Sequence, residues 1–315
     1  MSAFAAPTFI MKQAVTSATP LLLAGFGELL AQRAGVIDIG IEGLMLMGAI
    51  AAYGAAVVTG SAYAAIPAAI LAGVLFVAVF ALITVWFRAD QIVTGTALNI
   101  LAFGVSTTLW HALQNYMTGP TPHDPPQLFD AISIPILRDI PFAGPVFFQQ
   151  YGLFYFVVIL GIALFMVLKQ TRYGLIVQSL GDAPDACDAA GISVRLWRSG
   201  LVLFAGACAG LAGAYLSTMR GHSFQVNMTA GQGFLVLALV IFGRWTLSGL
   251  IAGTLLFGAL DGLQTYLAAI PGATTRVPHQ LFDMLPYAAT LIALGVLTRS
   301  RAGPAYLAAP WPADR

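Results

Sequence analysis

The sequence predicts an all-α integral membrane protein: a polytopic helical bundle of about nine spans, N-terminus outside and C-terminus in the cytoplasm. Three observations carry that expectation. Hydrophobic residues make up 59% of the 315 positions and charged residues only 9%, where a soluble domain holds roughly a quarter charged. No soluble core of this length hides so much apolar surface, so the solvent is lipid. The apolar residues fall in runs close to the ~20 that cross a hydrocarbon core. The basic residues also sort by side once the runs are threaded back and forth.

In chain order the expected spans are residues 13–31, 36–58, 62–87, 92–112, 151–168, 199–217, 231–243, 246–268 and 281–298. The first is expected to be retained. Only Lys12 precedes it, and Glu28, Gln32 and Arg33 stand where a cleaved signal needs small residues. The run at 231–243 is short for a crossing and reads equally as a re-entrant or half helix. Glycine-rich tracts at 35–48 and 206–214 are expected to interrupt helices without ending them, because neighbouring helices satisfy the freed backbone. With the N-terminus outside, Arg33, Arg88, Lys169, Arg172, Arg195, Arg198, Arg244, Arg299, Arg301 and Arg315 lie in the cytoplasm. Lys12, Arg138, Arg220 and Arg276 lie outside, a split of ten to four among the 14 basic residues.

The connections are distinctive. Residues 113–150 carry Pro120, Pro122, Pro125, Pro126, Pro135, Pro141 and Pro145, which block regular helix and favour stiff, turning backbone. This outer loop reads as a lid on the bundle or as a docking surface for an external protein. Residues 169–198, KQTRYGLIVQSLGDAPDACDAAGISVRLWR, carry both signs of charge: Lys169, Arg172, Arg195 and Arg198 bracket Asp182, Asp185 and Asp188. An alanine-rich short helix ending at Gly191 fits there, and the segment reads as a cytoplasmic coupling loop gripped by a partner. A bulky residue at Gly191 is expected both to clash and to strain the turn. Residues 299–315 read as a short cytoplasmic tail, and the whole of 1–315 as a single transmembrane domain. Four-residue spacing of small residues marks helix packing at Gly206 and Gly210, Gly249 and Gly253, and Gly258 and Gly262, within one subunit rather than at a dimer seam.

Polar residues inside apolar runs are the candidates for a solute path, since each is costly there without a partner, a cavity or water. Glu28, Asp38, Glu42, Asn99, Asp261 and Asp283 are such residues. Asp38 and Glu42, four apart in GVIDIGIEG, share a face if that stretch is helical; Gly35, Gly40 and Gly43 around them suggest instead a broken or closely packed segment. Glu42 either lines the path or serves structure, by capping backbone or pairing with Arg33; for Glu28 the structural role leads. Thr94 and Asn99 form a polar patch in QIVTGTALN. The amide of Asn99 offers donors and acceptors to a neutral polar solute, or to a neighbouring helix.

Several function classes drop out. The net charge of +1 gives no electrostatic case for nucleic acid. Cys187 and Cys208 stand in separate segments with no CxxC, so neither a metal site nor a disulfide framework is signalled. GxSxG and HExxH are absent, and His111, His123, His222 and His279 are scattered. The two lysines, Lys12 and Lys169, follow Met11 and Leu168, so no phosphate-binding GK[ST] exists. If ATP drives transport, the nucleotide sits on another chain.

The motifs resemble a family. TPLLLAGFGELLAQRAGVIDIGIEGLMLMGA at 19–49, ADQIVTGTALNILAFG at 89–104 and GQGFLVLALVIFGRWTLSGLIAGTLLFGALDGLQ at 231–264 are similar to the signatures of bacterial ABC-importer permeases. Those permeases serve nucleosides, simple sugars and branched-chain amino acids. LPYAATLIALG at 285–295 resembles their last span, and YGLIVQSLGDAPDACDAAGISV at 173–194 their cytoplasmic loop, whose Ala-Ala-Gly core contacts the ATPase. The likeness is greatest to the shorter of the two permeases that pair in basic-membrane-protein-type nucleoside importers. It implies the importer-permease fold in the bacterial inner membrane and a second permease, giving a heterodimer. It also implies cytoplasmic ATPase subunits that carry ATP and Mg, and an external solute-binding lipoprotein. No cofactor is expected on this chain. The coupling residues implied are Gly181, Asp182, Asp185, Ala186, Ala189, Ala190 and Gly191; the path residues are Asp38, Glu42, Thr94 and Asn99. The chain departs from the family pattern at Asp38, where Asn is usual. It departs again at Thr246-Leu247, where Asn-Pro is common, and at Gln178 and Asp182, where Glu or Arg are common. Sugars or branched-chain amino acids are the alternative cargoes. A self-sufficient secondary transporter, with buried acids as proton sites, and a channel or structural membrane protein are the alternatives from other classes.

Overall fold

The computed structural model describes residues 5–119, 128–135, 137–268, 284 and 303–311. Among these residues seven helices are long and apolar enough to cross a membrane. They are α1 (Ala5–Arg33), α2 (Ile41–Thr59), α3 (Ala65–Ala81, prolonged by a wide turn Leu82–Trp86), α4 (Gln91–Thr118), α6 (Gly152–Gln170), α9 (Val194–Ala214, prolonged by a wide turn Tyr215–Arg220) and α11 (Leu247–Ala268). Between them lie α5 (Ala143–Phe147), α7 (Arg172–Asp182), α8 (Pro184–Ala189) and α10 (Gln232–Phe242). The described residues are helical apart from one two-residue ladder, Ile132–Ser133 (β1) antiparallel to Gln149–Gln150 (β2). The expected span at 281–298, with Asp283, lies outside the described residues.

Length and polarity sort the helices. α1 is rich in Thr, Ser, Ala and Gly, so neighbours approach it closely, and it is the central post: α9, α10 and α11 pack on it. The most apolar helices, α3 and α6, present much of their surface outward, as lipid-facing helices do. α9 is the second post, against α1, α2 and α3. Caps set the local boundaries. The Asp90 carboxylate accepts the Val93 N–H at 2.8 Å to start α4, and Thr171 accepts from Tyr173 to start α7.

Small residues decide the closest approaches. A Cβ on Gly210 would meet the carbonyl oxygen of Ala69 in α3, and one on Gly206 the Val77 side chain. Gly258 faces the Ala14 carbonyl of α1, and Gly262 that of Ile10. Gly249 lies against Gly243 across the α10–α11 turn, with Gly253 beside Leu239. All six of these glycines therefore sit at helix contacts inside one chain.

Two glycine-rich tracts behave differently. The 206–214 tract stays helical, as expected. The 35–48 tract does not: α1 stops at Arg33, Gly35 takes φ +90, and α2 begins only at Ile41. The helix breaks here because side chains from other helices meet the backbone of 37–43, as described below.

α10 has 11 residues, about 16 Å at 1.5 Å per residue, half a hydrocarbon core. Its surroundings show what it completes. Arg220, at the end of α9, pairs with Asp261, which also accepts from Ser17 of α1. Trp245, just past α10, bonds Gln32 and Arg33 at the other end of α1. Residues 17 and 32 are about 22 Å apart along a helix. The segment 221–246 thus runs from one end of the bundle to the other, irregular first and helical second. In the loop before α6, α5 lies against α1, and Gln150 accepts from Thr16 at 3.1 Å.

Candidate functional site

The turn between α1 and α2 folds back into the bundle, where unpaired backbone groups are costly. Side chains supply the partners. Gln91 Oε1 accepts the Ile37 N–H at 2.9 Å, Glu28 Oε1 accepts from Asp38 N–H at 3.3 Å, and Asp38 Oδ1 accepts from Gly40 N–H at 2.8 Å. The Asn99 amide uses both ends: Nδ2 donates to the Ile39 carbonyl at 2.8 Å, and Oδ1 accepts from Gly43 N–H at 2.7 Å. Gly95 makes room for this seam, since a Cβ there would stand 2.8 Å from the Gly40 nitrogen. Asp38 therefore sits in a turn, not on the helix of Glu42, and the two do not share a helical face.

Glu42 stands in the first turn of α2 and reaches the start of α10. Its Oε1 accepts from Gly231 N–H at 2.8 Å and its Oε2 from Gly233 N–H at 2.6 Å. A carboxylate there meets two otherwise orphaned helix donors and the positive end of the helix dipole. It caps backbone and is not paired with Arg33, whose Nε donates to the Trp245 carbonyl at 2.6 Å.

Behind the turn runs a buried polar chain. Trp245 Nε1 donates to Gln32 Oε1, and Gln32 Nε2 donates to Glu28 Oε1, both at 2.8 Å. Glu28, Gln32 and Asp38 are all but inaccessible. Glu28 Oε2 and Asp38 Oδ2 are buried with no hydrogen-bond partner among the described residues. Trp245 and Arg244 hold positive φ (51° and 56°), a costly backbone for side chains of this size. Thr94, also buried, donates to the Asp90 carbonyl at 2.7 Å within its own helix. The structure thus brings Asp38, Glu42 and Asn99 to the junction of α1, α2, α4 and α10, with Thr94 one turn below Asn99. A large groove of about 1050 Å³ between α1, α6 and α11 is lined by side chains such as Phe26, Phe154, Ile162 and Leu255, an apolar lining unlike that of the polar junction.

The second candidate surface is formed by α7 and α8. Pro184 and Cys187 turn inward, while Asp182, Asp185, Ala186, Asp188, Ala189, Ala190 and Gly191 are exposed. The end of α8 is a paired glycine cap. Gly191 N–H donates to Asp188 O and Ile192 N–H to Cys187 O, each at 2.9 Å, with Gly191 at φ +77. A Cβ on Gly191 meets nothing within 4 Å, so the expected clash is absent and only the backbone strain stands. Gly181 is where space is short: a Cβ there would run into the Arg33 carbonyl.

Sequence reasoning missed Gln32, Gln91, Trp245 and Arg198 as members of these sites. Arg198 reads as one more cytoplasmic charge, yet it is 3% exposed and donates to the Leu180 and Ala309 carbonyls at 3.1 and 3.3 Å. No periodicity marks a polar residue whose partner is remote in sequence.

Comparison with known proteins follows the same lines. The family model described as branched-chain amino acid transport system / permease component matches residues 10–294. The chain is 33% identical over 285 residues to the nucleoside ABC transporter permease protein NupC of Lactococcus lactis subsp. cremoris, covering 88% of each chain. It is 33% identical over 297 residues to the guanosine ABC transporter permease protein NupQ of Bacillus subtilis, covering 91% of each. It is 31% identical over 305 residues to a putative glucose ABC transporter permease protein of Haloferax volcanii, covering 90% of each. No solved structure matches.

Proposed function

Since the chain belongs to the branched-chain amino acid transport system permease family, we propose that its cargo is a nucleoside or a related small polar solute, moved by alternating access. The chain itself is a permease subunit of an ABC importer, a non-catalytic, multi-pass protein of the inner (plasma) membrane. The nucleoside reading is supported by the names of two relatives, one a nucleoside and one a guanosine permease. The relative named as a putative glucose permease favours a simple sugar as the second reading.

In the proposed assembly the whole of 1–315 is one transmembrane domain of nine crossings, N-terminus outside and C-terminus inside. It pairs with a second, different permease. Cytoplasmic ATPase subunits hold ATP and Mg and grip α8 through Asp182, Asp185 and the Ala186, Ala189, Ala190 and Gly191 surface, with Gly181 setting its seat. An external lipoprotein delivers cargo to the 113–150 side. Asp38, Glu42, Thr94 and Asn99 border the path at the broken turn. The observation that carries this placement is the polar junction itself: non-helical backbone inside a membrane bundle is tolerated where it is buried in protein or lines a cavity. The path needs only weak affinity, because capture belongs to the external protein. Uptake by the reconstituted complex, against a panel of labelled nucleosides and sugars, tests the proposal. Uptake of sugars alone would overturn the nucleoside reading, and uptake without any ATPase the ATP-driven one.

A further inference from the structure

The segment Gly303–Trp311 is bonded to both candidate sites. Tyr306 N–H donates to Gly181 O at 2.8 Å, at the end of α7, and Ala308 N–H donates to Gly35 O at 3.1 Å, in the α1–α2 turn. Arg198, at the base of α9, joins the Leu180 carbonyl to the Ala309 carbonyl. Trp311 Nε1 donates to Asp185 Oδ1 on α8 at 3.1 Å, and Ala305 N–H approaches Asp182 Oδ1 at 3.4 Å. The Trp311 ring packs on the small core of Ala34, Leu180, Cys187 and Val194 beneath α8. Gly303 lies against the ring of Trp245, and a Cβ on Gly35 would meet both Arg198 and the Tyr306 carbonyl.

These contacts have a direction. A buried guanidinium is costly unless its donors are met; Arg198 Nε has no partner among the described residues, so the residue depends on its two Nη bonds, one of them to this segment. The backbone bonds run to two different elements, so the segment cannot follow one without pulling the other. We infer that Gly303–Trp311 is a strap that ties the coupling helix α8 to the α1–α2 turn, so that a cytoplasmic partner bearing on α8 moves that turn with it. The identity of the partner rests on the permease reading above; the mechanical tie does not.

Two variants test the strap: a chain ended at residue 302 and Trp311→Ala. The first readout needs no partner. Amide exchange at residues 35–40 of the purified permease should speed up in the shortened chain, and less so in Trp311→Ala. In the reconstituted importer the ATPase should still co-purify with Trp311→Ala and the shortened chain. Uptake per ATP hydrolysed should fall by at least about fivefold in the shortened chain, the low end of a typical coupling free energy. Unchanged exchange at 35–40 would overturn the tie. Full uptake per ATP without the segment would overturn its role in coupling. If the shortened chain fails to enter the membrane, exchange in Trp311→Ala decides. Failure of the unaltered chain to bind any ATPase would count against the permease reading and leave the exchange result standing.

Discussion

Replacing Glu42 should loosen α10 before anything else. Its two oxygens accept from Gly231 and Gly233 at 2.8 and 2.6 Å. Hydrogen bonds to a charged group are worth about 1.5–3 kcal/mol each, and a carboxylate at a helix N-terminus adds about 0.3–1 kcal/mol. Glu42 is only half-buried, so the low end applies: about 3 kcal/mol for Glu42→Ala. Glu42→Gln keeps one acceptor oxygen and should lose about half of that. Since about 1.4 kcal/mol is a tenfold change in an equilibrium constant, Glu42→Ala should open α10 locally about a hundredfold more often. Amide exchange over residues 231–242 measures that opening directly. Because Glu42 ties α10 to the α1–α2 turn, uptake should fall with it, in the order wild type, Glu42→Gln, Glu42→Ala. Exchange over 231–242 that is the same in Glu42→Ala and wild type would refute the reasoning.

Other outcomes follow from the same geometry. Gly191→Val should insert normally yet recover less ATPase on co-purification. The φ of +77 costs a β-branched residue about 1–2 kcal/mol, and no clash adds to it; full recovery and full uptake would make the α8 end a mere connector. Asp185→Ala should do less, since an exposed pair is worth about 0–1 kcal/mol. Asp38→Asn removes one of two buried carboxylates whose second oxygens have no partner. The amide still leaves a polar group at that position, so the gain comes only from removing a buried charge while Oδ1 keeps its bond from Gly40 N–H: stability should rise by about 1 kcal/mol, seen as a higher unfolding temperature in detergent; a lower one would show that the carboxylate is needed. Cysteine reporters replacing Ser61 and Asp185 should label from opposite sides of the membrane, Ser61 from outside, and labelling from one side would end the proposed orientation.

The spans were legible because membrane insertion is decided locally. A run of ~20 apolar residues satisfies its own backbone as a helix whatever surrounds it, and α1 to α4, α6, α9 and α11 all fall on runs visible in the chain. The end of α8 was legible for the same reason. Alanines followed by Gly191 form a cap whose bonds close within a few residues, from 187 to 192. Small-residue spacing likewise pointed to Gly206, Gly210, Gly258 and Gly262, although not to the α3 and α1 carbonyls they face.

What the bundle does with its polar residues was not legible. The glycines of GVIDIGIEG suggest a broken or closely packed segment, but the run 36–58 does not place the break at 34–40, because that break is stabilised by Gln91, 54 residues beyond Ile37, and by Asn99, 56 beyond Gly43. Glu42 could be read as path, cap or ion pair until α10 was placed, since its partners lie 189 and 191 residues away. Trp245 meets Gln32 across 213 residues, and Arg198 meets the strap across 111. Hydropathy and charge along the chain determine which stretches enter the lipid and favour which ends face the cytoplasm, because both are properties of a short window. Which polar group satisfies which is settled only by tertiary packing: in a dry interior each donor needs a particular acceptor, and the fold alone decides which remote residue arrives beside it.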